Sequence, residues 1–218
     1  MVEVEVLSAE VCPYAHRTRL VLLEKGVNFN LTEIDLKNKP DWFPDVSPYG
    51  KVPSIRRNGR IVYESAIINE YLDEAFPLPQ LMPQQPLERA LARIWIDYAN
   101  TRFNPTVYKL LRELDAIKQA ELTDELVNVF RYMENEGFKK LGNGLFWMGQ
   151  QLTLVDLAFY PFFERLCNLK YYRDFDIPVD CTQIQEWINT MSLRTSVQTI
   201  RNPPEFYIER ARATALPM

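Results

Sequence analysis

The 218 residues suffice for one large domain or two modest ones, and 47% hydrophobic with 25% charged residues is an ordinary globular composition. A net charge of −4 argues against a nucleic-acid surface, which is normally basic, and no block of like charge suggests a tail. Cys12, Cys167 and Cys181 form no C-x-x-C pair, which speaks against a zinc or dithiol motif, and their odd number suits a reducing compartment better than a disulfide-stapled chain. With His16 as the single histidine, a His-rich metal centre is excluded and no metal is expected. The N-terminus alternates Val and Glu, unlike a signal or transit peptide, and no apolar run approaches the ~20 residues that span a bilayer. A cytoplasmic location with neither nucleic acid nor membrane as partner is the expectation.

In chain order, residues 2–8 alternate like a strand with one buried face. Cys12 then stands at the junction of a tight loop and an apolar helix over 13–25, with Pro13 suited to the first turn, where a missing N–H costs nothing. A thiol at a helix N-terminus faces unpaired N–H groups and the positive end of the helix dipole, and cysteines so placed have pKa values of roughly 3.5–7.5. The plainer reading of Cys12 is a half-buried structural cysteine. His16 reads as a helix-surface residue, and Gly26 as the stop. Residues 27–34 read as a second strand, so that strand, helix and strand make a parallel βαβ unit. Residues 37–49 are irregular or briefly helical, limited by Pro40, Pro44 and Pro48. Asn58-Gly59 between the β-like runs 52–55 and 60–63 is a hairpin signal, because both residues accept positive φ. Ser65 reads as the N-cap of a helix through Glu74, with Ile67, Ile68, Tyr71 and Leu72 as its apolar stripe.

Residues 77–86 carry Pro77, Pro79, Pro83 and Pro86 and read as a linker between a domain over 1–76 and an all-helical one over 87–218. In the latter, Leu87 to Leu114 has helical periodicity that Pro105 should kink or divide. Thr123-Asp124-Glu125 reads as the start of another helix, closed at Gly142-Asn143-Gly144. Thr153-Leu154-Val155-Asp156 resembles a capping box, with Leu152 and Leu157 as its hydrophobic staple. A bend is expected at Pro161, a helix over 181–193 around Trp187, and a short one after Pro203-Pro204.

The run Cys12-Pro13-Tyr14-Ala15-His16-Arg17-Thr18-Arg19-Leu20-Val21-Leu22 is similar to the omega class of cytosolic glutathione transferases. So are Leu36-Lys37-Asn38-Lys39-Pro40-Asp41-Trp42-Phe43, Pro48-Tyr49-Gly50-Lys51-Val52-Pro53, and Tyr63-Glu64-Ser65-Ala66-Ile67 with Glu70-Tyr71-Leu72-Asp73-Glu74, in order and spacing. The likeness is strong over residues 1–76 and weakens to helix pattern and the Thr153–Asp156 cap beyond. It implies a thioredoxin-like α/β domain of order β-α-β-α-β-β-α, followed by an all-α domain. It also implies glutathione as cosubstrate and a homodimer.

By position, the resemblance makes Cys12 the catalytic thiol, with Tyr14 lining the site where the class often has Phe. It places Lys39 against a glutathione carboxylate, and the main chain of Val52, joined to Pro53 by a cis bond, against the cysteinyl backbone. Glu64 and Ser65 would hold the γ-glutamyl end. Elementary chemistry agrees: a helix N-terminus with a hydroxyl suits a carboxylate, and a carboxylate suits an ammonium. Each residue also has a plainer reading: Ser65 an N-cap, Glu64 a strand-end charge, Lys39 a solvated lysine, Pro53 trans, Tyr14 packing. Tyr108 and Phe206 are aromatic candidates for a second-substrate pocket. The implied activity is a glutathione-dependent thiol transferase and reductase with a monothiol cycle, since Ala15 stands where a dithiol enzyme has its second cysteine. Glutathionylated thiols, dehydroascorbate and S-aryl-ketone adducts are the implied substrates. The alternative is a non-catalytic module of the same fold, resembling the stringent starvation protein that contacts RNA polymerase, to which Leu81-Met82-Pro83 is similar.

Overall fold

The structure is a computed structural model that describes residues 4–142 and 144–216. The expectations for Val2, Glu3 and Asn143 lie outside those residues. The chain divides into two compact units, Met1–Pro83 and Gln84–Met218. Among the described residues no helix is long and apolar enough to cross a membrane.

The first unit has the order β1 (Val4–Ser8), α1 (Pro13–Glu24), β2 (Phe29–Glu33), α2 (Phe43–Val46), β3 (Ser54–Arg57), β4 (Arg60–Tyr63), α3 (Ser65–Ala75). This is the expected β-α-β-α-β-β-α succession. Among the described residues the sheet order is β2-β1-β3-β4, with β1 and β2 parallel, β3 antiparallel to β1, and β4 antiparallel to β3. β1 is interior to the sheet, and Val4, Val6, Leu7 and Ser8 are all buried, so the strand is covered on both faces and not on one as its alternation suggests. The hairpin closes through Asn58 (φ 50°) and Gly59 (φ 72°), the pair of left-handed residues that a two-residue turn matched to strand twist requires.

α1 and α3 meet along a polar seam. Thr18 Oγ1 donates to Asn69 Oδ1 at 2.8 Å, Arg17 reaches Ser65, and Lys25 is ion-paired with Asp73. Ser65, Asn69 and Asp73 recur every four residues, so one face of α3 presents a polar group at each turn. The expected stripe of α3 holds for Ile68 and Leu72, both fully buried, whereas Ile67 is exposed. The Asp73 carboxylate also accepts from the N–H groups of Leu81 (2.8 Å) and Met82 (2.9 Å), both buried, while Lys25 donates to the Pro79 carbonyl. These bonds fasten the start of the proline-rich stretch onto the first unit.

The second unit is helical: α4 (Pro86–Tyr98), α5 (Asn104–Arg112), α6 (Ala116–Tyr132), α7 (Lys139–Leu141), α8 (Leu154–Phe163), α9 (Cys167–Arg173), α10 (Thr182–Ser192), α11 (Thr195–Ile200) and α12 (Pro204–Ala215). Pro105 does divide the 87–114 segment. It sits in the first turn of α5, and the preceding turn widens into a π-helix, Ala99–Phe103. The expected helix start at Thr123 is overturned. α6 begins at Ala116, seven residues before Thr123, because the Asp115 side chain accepts from Ile117 N and Lys118 N and supplies the cap. Asp124 and Glu125 then fall on an exposed face within the helix. α6 continues through a second π-helix, Met133–Phe138, into α7.

The capping box at Thr153 is present, and its Asp156 is fully buried. The Asp156 carboxylate accepts from Thr153 N (2.8 Å), Thr153 Oγ1 (2.9 Å), Trp147 N (2.8 Å) and Trp187 Nε1 (2.8 Å). One side chain thus joins α8, the loop before it and α10 beside the aromatic core of Phe103, Phe130, Trp147, Phe159, Phe163 and Trp187.

Candidate active site

Cys12 is the N-cap of α1, with extended backbone (φ −81°, ψ 115°) and Pro13 in the first turn. Its amide donates to the Ala9 carbonyl at 2.8 Å, and its carbonyl accepts from His16 N at 3.0 Å, so the residue is fixed from both sides. The half-exposed thiol donates to the Val52 carbonyl at 3.6 Å. Both residues join the apolar cluster of Leu7, Ala9, Ala15, Ile34, Phe43 and Val46 beneath the site.

His16 is fully buried, which corrects its reading as a surface residue. Nearly all of α1 from Pro13 to Leu22 is buried, Arg17, Thr18 and Arg19 included, because the helix is enclosed on more than one face.

The loop before Val52 is shaped by Ser47, whose Oγ accepts from Lys51 N (2.9 Å) and donates to Lys51 O (2.6 Å). Lys39 is exposed, and its Nζ donates to the Gly50 carbonyl at 2.8 Å, which brings it to the same loop. The Val52–Pro53 peptide bond is cis. Immediately after it, Ser54 pairs with Tyr63, so the site loop and the entry to α3 are neighbours across the hairpin.

Glu64 and Ser65 stand at that entry. Glu64 is exposed and has φ 69°, ψ 112°, a left-handed conformation uncommon for a residue with a side chain. It, not Ser65, occupies the N-cap position, and Ser65 is the first helical residue, a shift of one position from the sequence expectation. The positive φ of Glu64 places the turn into the helix one residue early. The Ser65 hydroxyl, nearly buried, accepts from Arg17 Nη1 at 3.5 Å. The Arg17 guanidinium in turn lies 4.9 Å from the ring centre of half-buried Tyr14, two residues from Cys12.

The expected residues are therefore linked in a ring within the first unit: Cys12 to Val52, across the hairpin to Glu64 and Ser65, through Arg17 to Tyr14 and back to α1. Lys39 joins through Gly50. Arg17 was not singled out from the sequence. The signal was there in a charged residue within an apolar helical run, which is buried only with partners.

Both the sequence and the fold have relatives among known proteins. Residues 11–75 match the family profile "Glutathione S-transferase, N-terminal domain", and residues 97–190 match "Glutathione S-transferase, C-terminal domain". Glutathione S-transferase omega-1 of Sus scrofa is 32% identical over 202 residues, covering 92% of this chain and 81% of that protein. Among solved structures, glutathione transferase Omega 3C from Trametes versicolor superposes with a TM-score of 0.84 at 27% identity, covering 92% of this chain and 90% of that one. Rice GST1, solved in complex with glutathione, superposes with a TM-score of 0.86 at 30% identity, covering 96% and 94%. The chain belongs to the glutathione S-transferase family, with its sequence relatives in the omega class. The alternative of a non-catalytic module is not favoured, since these relatives are transferases.

Proposed function

We propose that this chain is a glutathione-dependent thiol transferase and reductase whose nucleophile is Cys12. The observation that carries the reading is a cysteine, and not a tyrosine or serine, at the N-cap position of α1, with Pro13 in the first turn. A helix N-terminus favours a thiolate over a thiol. In a mixed disulfide of glutathione with a substrate thiol, the Cys12 thiolate attacks the glutathione sulfur. The disulfide bond breaks, the substrate leaves as its thiolate and takes a proton, and Cys12 keeps glutathione as a new mixed disulfide. A second glutathione thiolate then attacks the glutathione sulfur of that adduct, releasing glutathione disulfide and restoring Cys12. Ala15, one turn on, carries no thiol, which supports the monothiol cycle.

In this reading Lys39 meets a glutathione carboxylate, and the main chain of Val52 beside Pro53 pairs with the cysteinyl backbone as an added strand. Glu64 meets the γ-glutamyl ammonium, Ser65 meets its carboxylate, and Tyr14 packs at the sulfur end. Dehydroascorbate and S-aryl-ketone adducts are further substrates, a homodimer is the assembly, and the cytoplasm is the place of action.

Conjugation is the weaker activity, because a conjugating enzyme needs a hydroxyl to hold bound glutathione as a thiolate and the Cys12 thiolate has no hydrogen to give. The test is incubation with glutathione disulfide followed by intact mass. One glutathione per chain is expected on Cys12, removed by reduced glutathione. Cys12→Ala is expected to lose the adduct and the reductase activities while keeping its fold. Full reductase activity in Cys12→Ala, or aryl-halide conjugation far faster than disulfide reduction in the wild type, defeats the proposal.

A further inference from the structure

We infer that Glu33 is a positioning residue for the turn that carries Cys12, holding that turn through the Glu10 amide, an inference that rests on reading Cys12 as the nucleophile. The four residues from Ala9 to Cys12 form the turn between β1 and α1, closed by the Cys12 amide on the Ala9 carbonyl at 2.8 Å. Such a turn gives the amide and the carbonyl of its second residue, Glu10, no partner inside the turn. Both are met by side chains from other elements. The Glu10 amide donates to Glu33 Oε2 at 2.8 Å, and the Glu10 carbonyl accepts from Arg19 Nη2 at 3.5 Å.

Glu33 comes from β2 and Arg19 from α1, so one residue of the turn is gripped from two directions. Arg19 is 5% exposed, which anchors its side of the grip inside the unit. Glu33 is the last residue of β2 and lies beside Ser8, the last of β1, while the Ile34 amide after it donates to the Ser8 carbonyl at 2.7 Å. The carboxylate therefore stands on a paired strand end and not on a free loop. Glu10, Val11 and Glu33 are all exposed, so water can satisfy the Glu10 amide as a carboxylate does. What Glu33 adds is a fixed direction, through a hydrogen bond to an ionised acceptor that is stronger than a neutral one. The sulfur sits two residues further along the same turn. Thiol–disulfide exchange needs that sulfur held close to the glutathione sulfur and aligned with it, and a small misplacement is costly in rate. A small alkylating reagent approaches a thiolate from any open side and makes no such demand. By charge alone, a carboxylate near a thiolate disfavours it, so a benefit from Glu33 comes through its hydrogen bond.

The test compares wild type, Glu33→Gln, which keeps an acceptor oxygen without the charge, and Glu33→Ala, which keeps neither. Each is assayed for reduction of the mixed disulfide of glutathione and mercaptoethanol, and for alkylation of Cys12 by iodoacetamide across pH, followed by peptide mass. Glu33→Ala is expected to lower kcat roughly tenfold with KM within about twofold. Glu33→Gln is expected to stay within about twofold of wild type in both. The limiting alkylation rate of the Cys12 thiolate at high pH is expected to stay within about twofold in all three proteins. A Glu33→Ala enzyme as fast as wild type, a Glu33→Gln enzyme as slow as Glu33→Ala, or an alkylation rate that falls in step with kcat overturns the role. Where Glu33→Ala does not fold, Glu33→Thr, which shortens the side chain and suits a strand, carries the same comparison. Full reduction by Cys12→Ala overturns the nucleophile and the role of Glu33 with it. Reduction that depends on Cys12 beside an indifferent Glu33→Ala overturns only the role of Glu33.

Discussion

Glu64 holds a backbone conformation (φ 69°) that side chains other than Gly, Asn and Asp seldom take, and it is exposed, so no core packing requires a glutamate there. Such strain costs about 1–3 kcal/mol and collects at functional positions. Glycine accepts the same φ without strain, at the expense of greater freedom in the unfolded chain. Glu64→Gly is therefore expected to leave thermal stability level or raise it by up to about 1 kcal/mol. Glutathione affinity is expected to fall about tenfold, because a hydrogen bond to a charged group is lost. Calorimetric melting beside a glutathione titration checks both, and a loss of stability with unchanged affinity assigns Glu64 to the fold instead.

At the scale of elements, hidden carboxylates decide where helices begin. Glu134, buried in the second π-helix, accepts from Gln183 N and Ile184 N at 3.1 Å each and so caps α10, while Asp156 gathers four donors at the start of α8. Asp156→Ala removes a cap and leaves buried donors unpaired, for an expected loss of about 3 kcal/mol or more in urea unfolding. The pH dependence has a definite sign. Burial raises the Asp156 pKa in the fold, against the pull of its four donors, so the native state takes up a proton there more readily than the unfolded chain. The contribution of Asp156 to stability thus grows as pH falls through its folded pKa toward the ordinary value near about 4. The margin of the wild type over Asp156→Asn is expected to widen on acidification from pH 7, and a margin that narrows contradicts the sign. Asp180 behaves oppositely: its hydrogen bond with Arg131 lowers its pKa, so whatever it contributes fades as pH falls.

At the scale of the whole molecule, two units of different construction each carry their own core, and the first holds the chain at its exit. Lys25, with its side chain fully buried, pairs with Asp73, and Asp73 binds the N–H groups of Leu81 and Met82. Removing one partner of a buried pair leaves an uncompensated charge and costs about 3–5 kcal/mol. Lys25→Met is expected to lower the unfolding free energy by that amount, and a second change, Asp73→Asn, is expected to restore part of it. Denaturant titration of the two variants measures both, and full additivity of the two losses shows that the pair is not coupled.

The chain by itself determined what local chemistry can dictate. Alternating Val and Glu specify β1, Asn58-Gly59 the hairpin, Cys12-Pro13 the start of α1, and Thr153 with Asp156 the start of α8, since each depends on neighbours a few residues away. The expectation for Cys12, Val52, Pro53, Glu64 and Ser65 came from spacing and family likeness, and distance along the chain says nothing of how they meet. Only the tertiary structure decided that the Cys12 thiol faces Val52 across 40 intervening peptide bonds, because a central strand and a hairpin carry the two loops to the same edge. It decided equally that His16 and Arg17 are buried, since helical periodicity describes one apolar face and α1 is enclosed on several. The start of α6 followed the same logic: several acids compete to cap a helix, and the winner, Asp115, is the one whose oxygen reaches the free N–H groups.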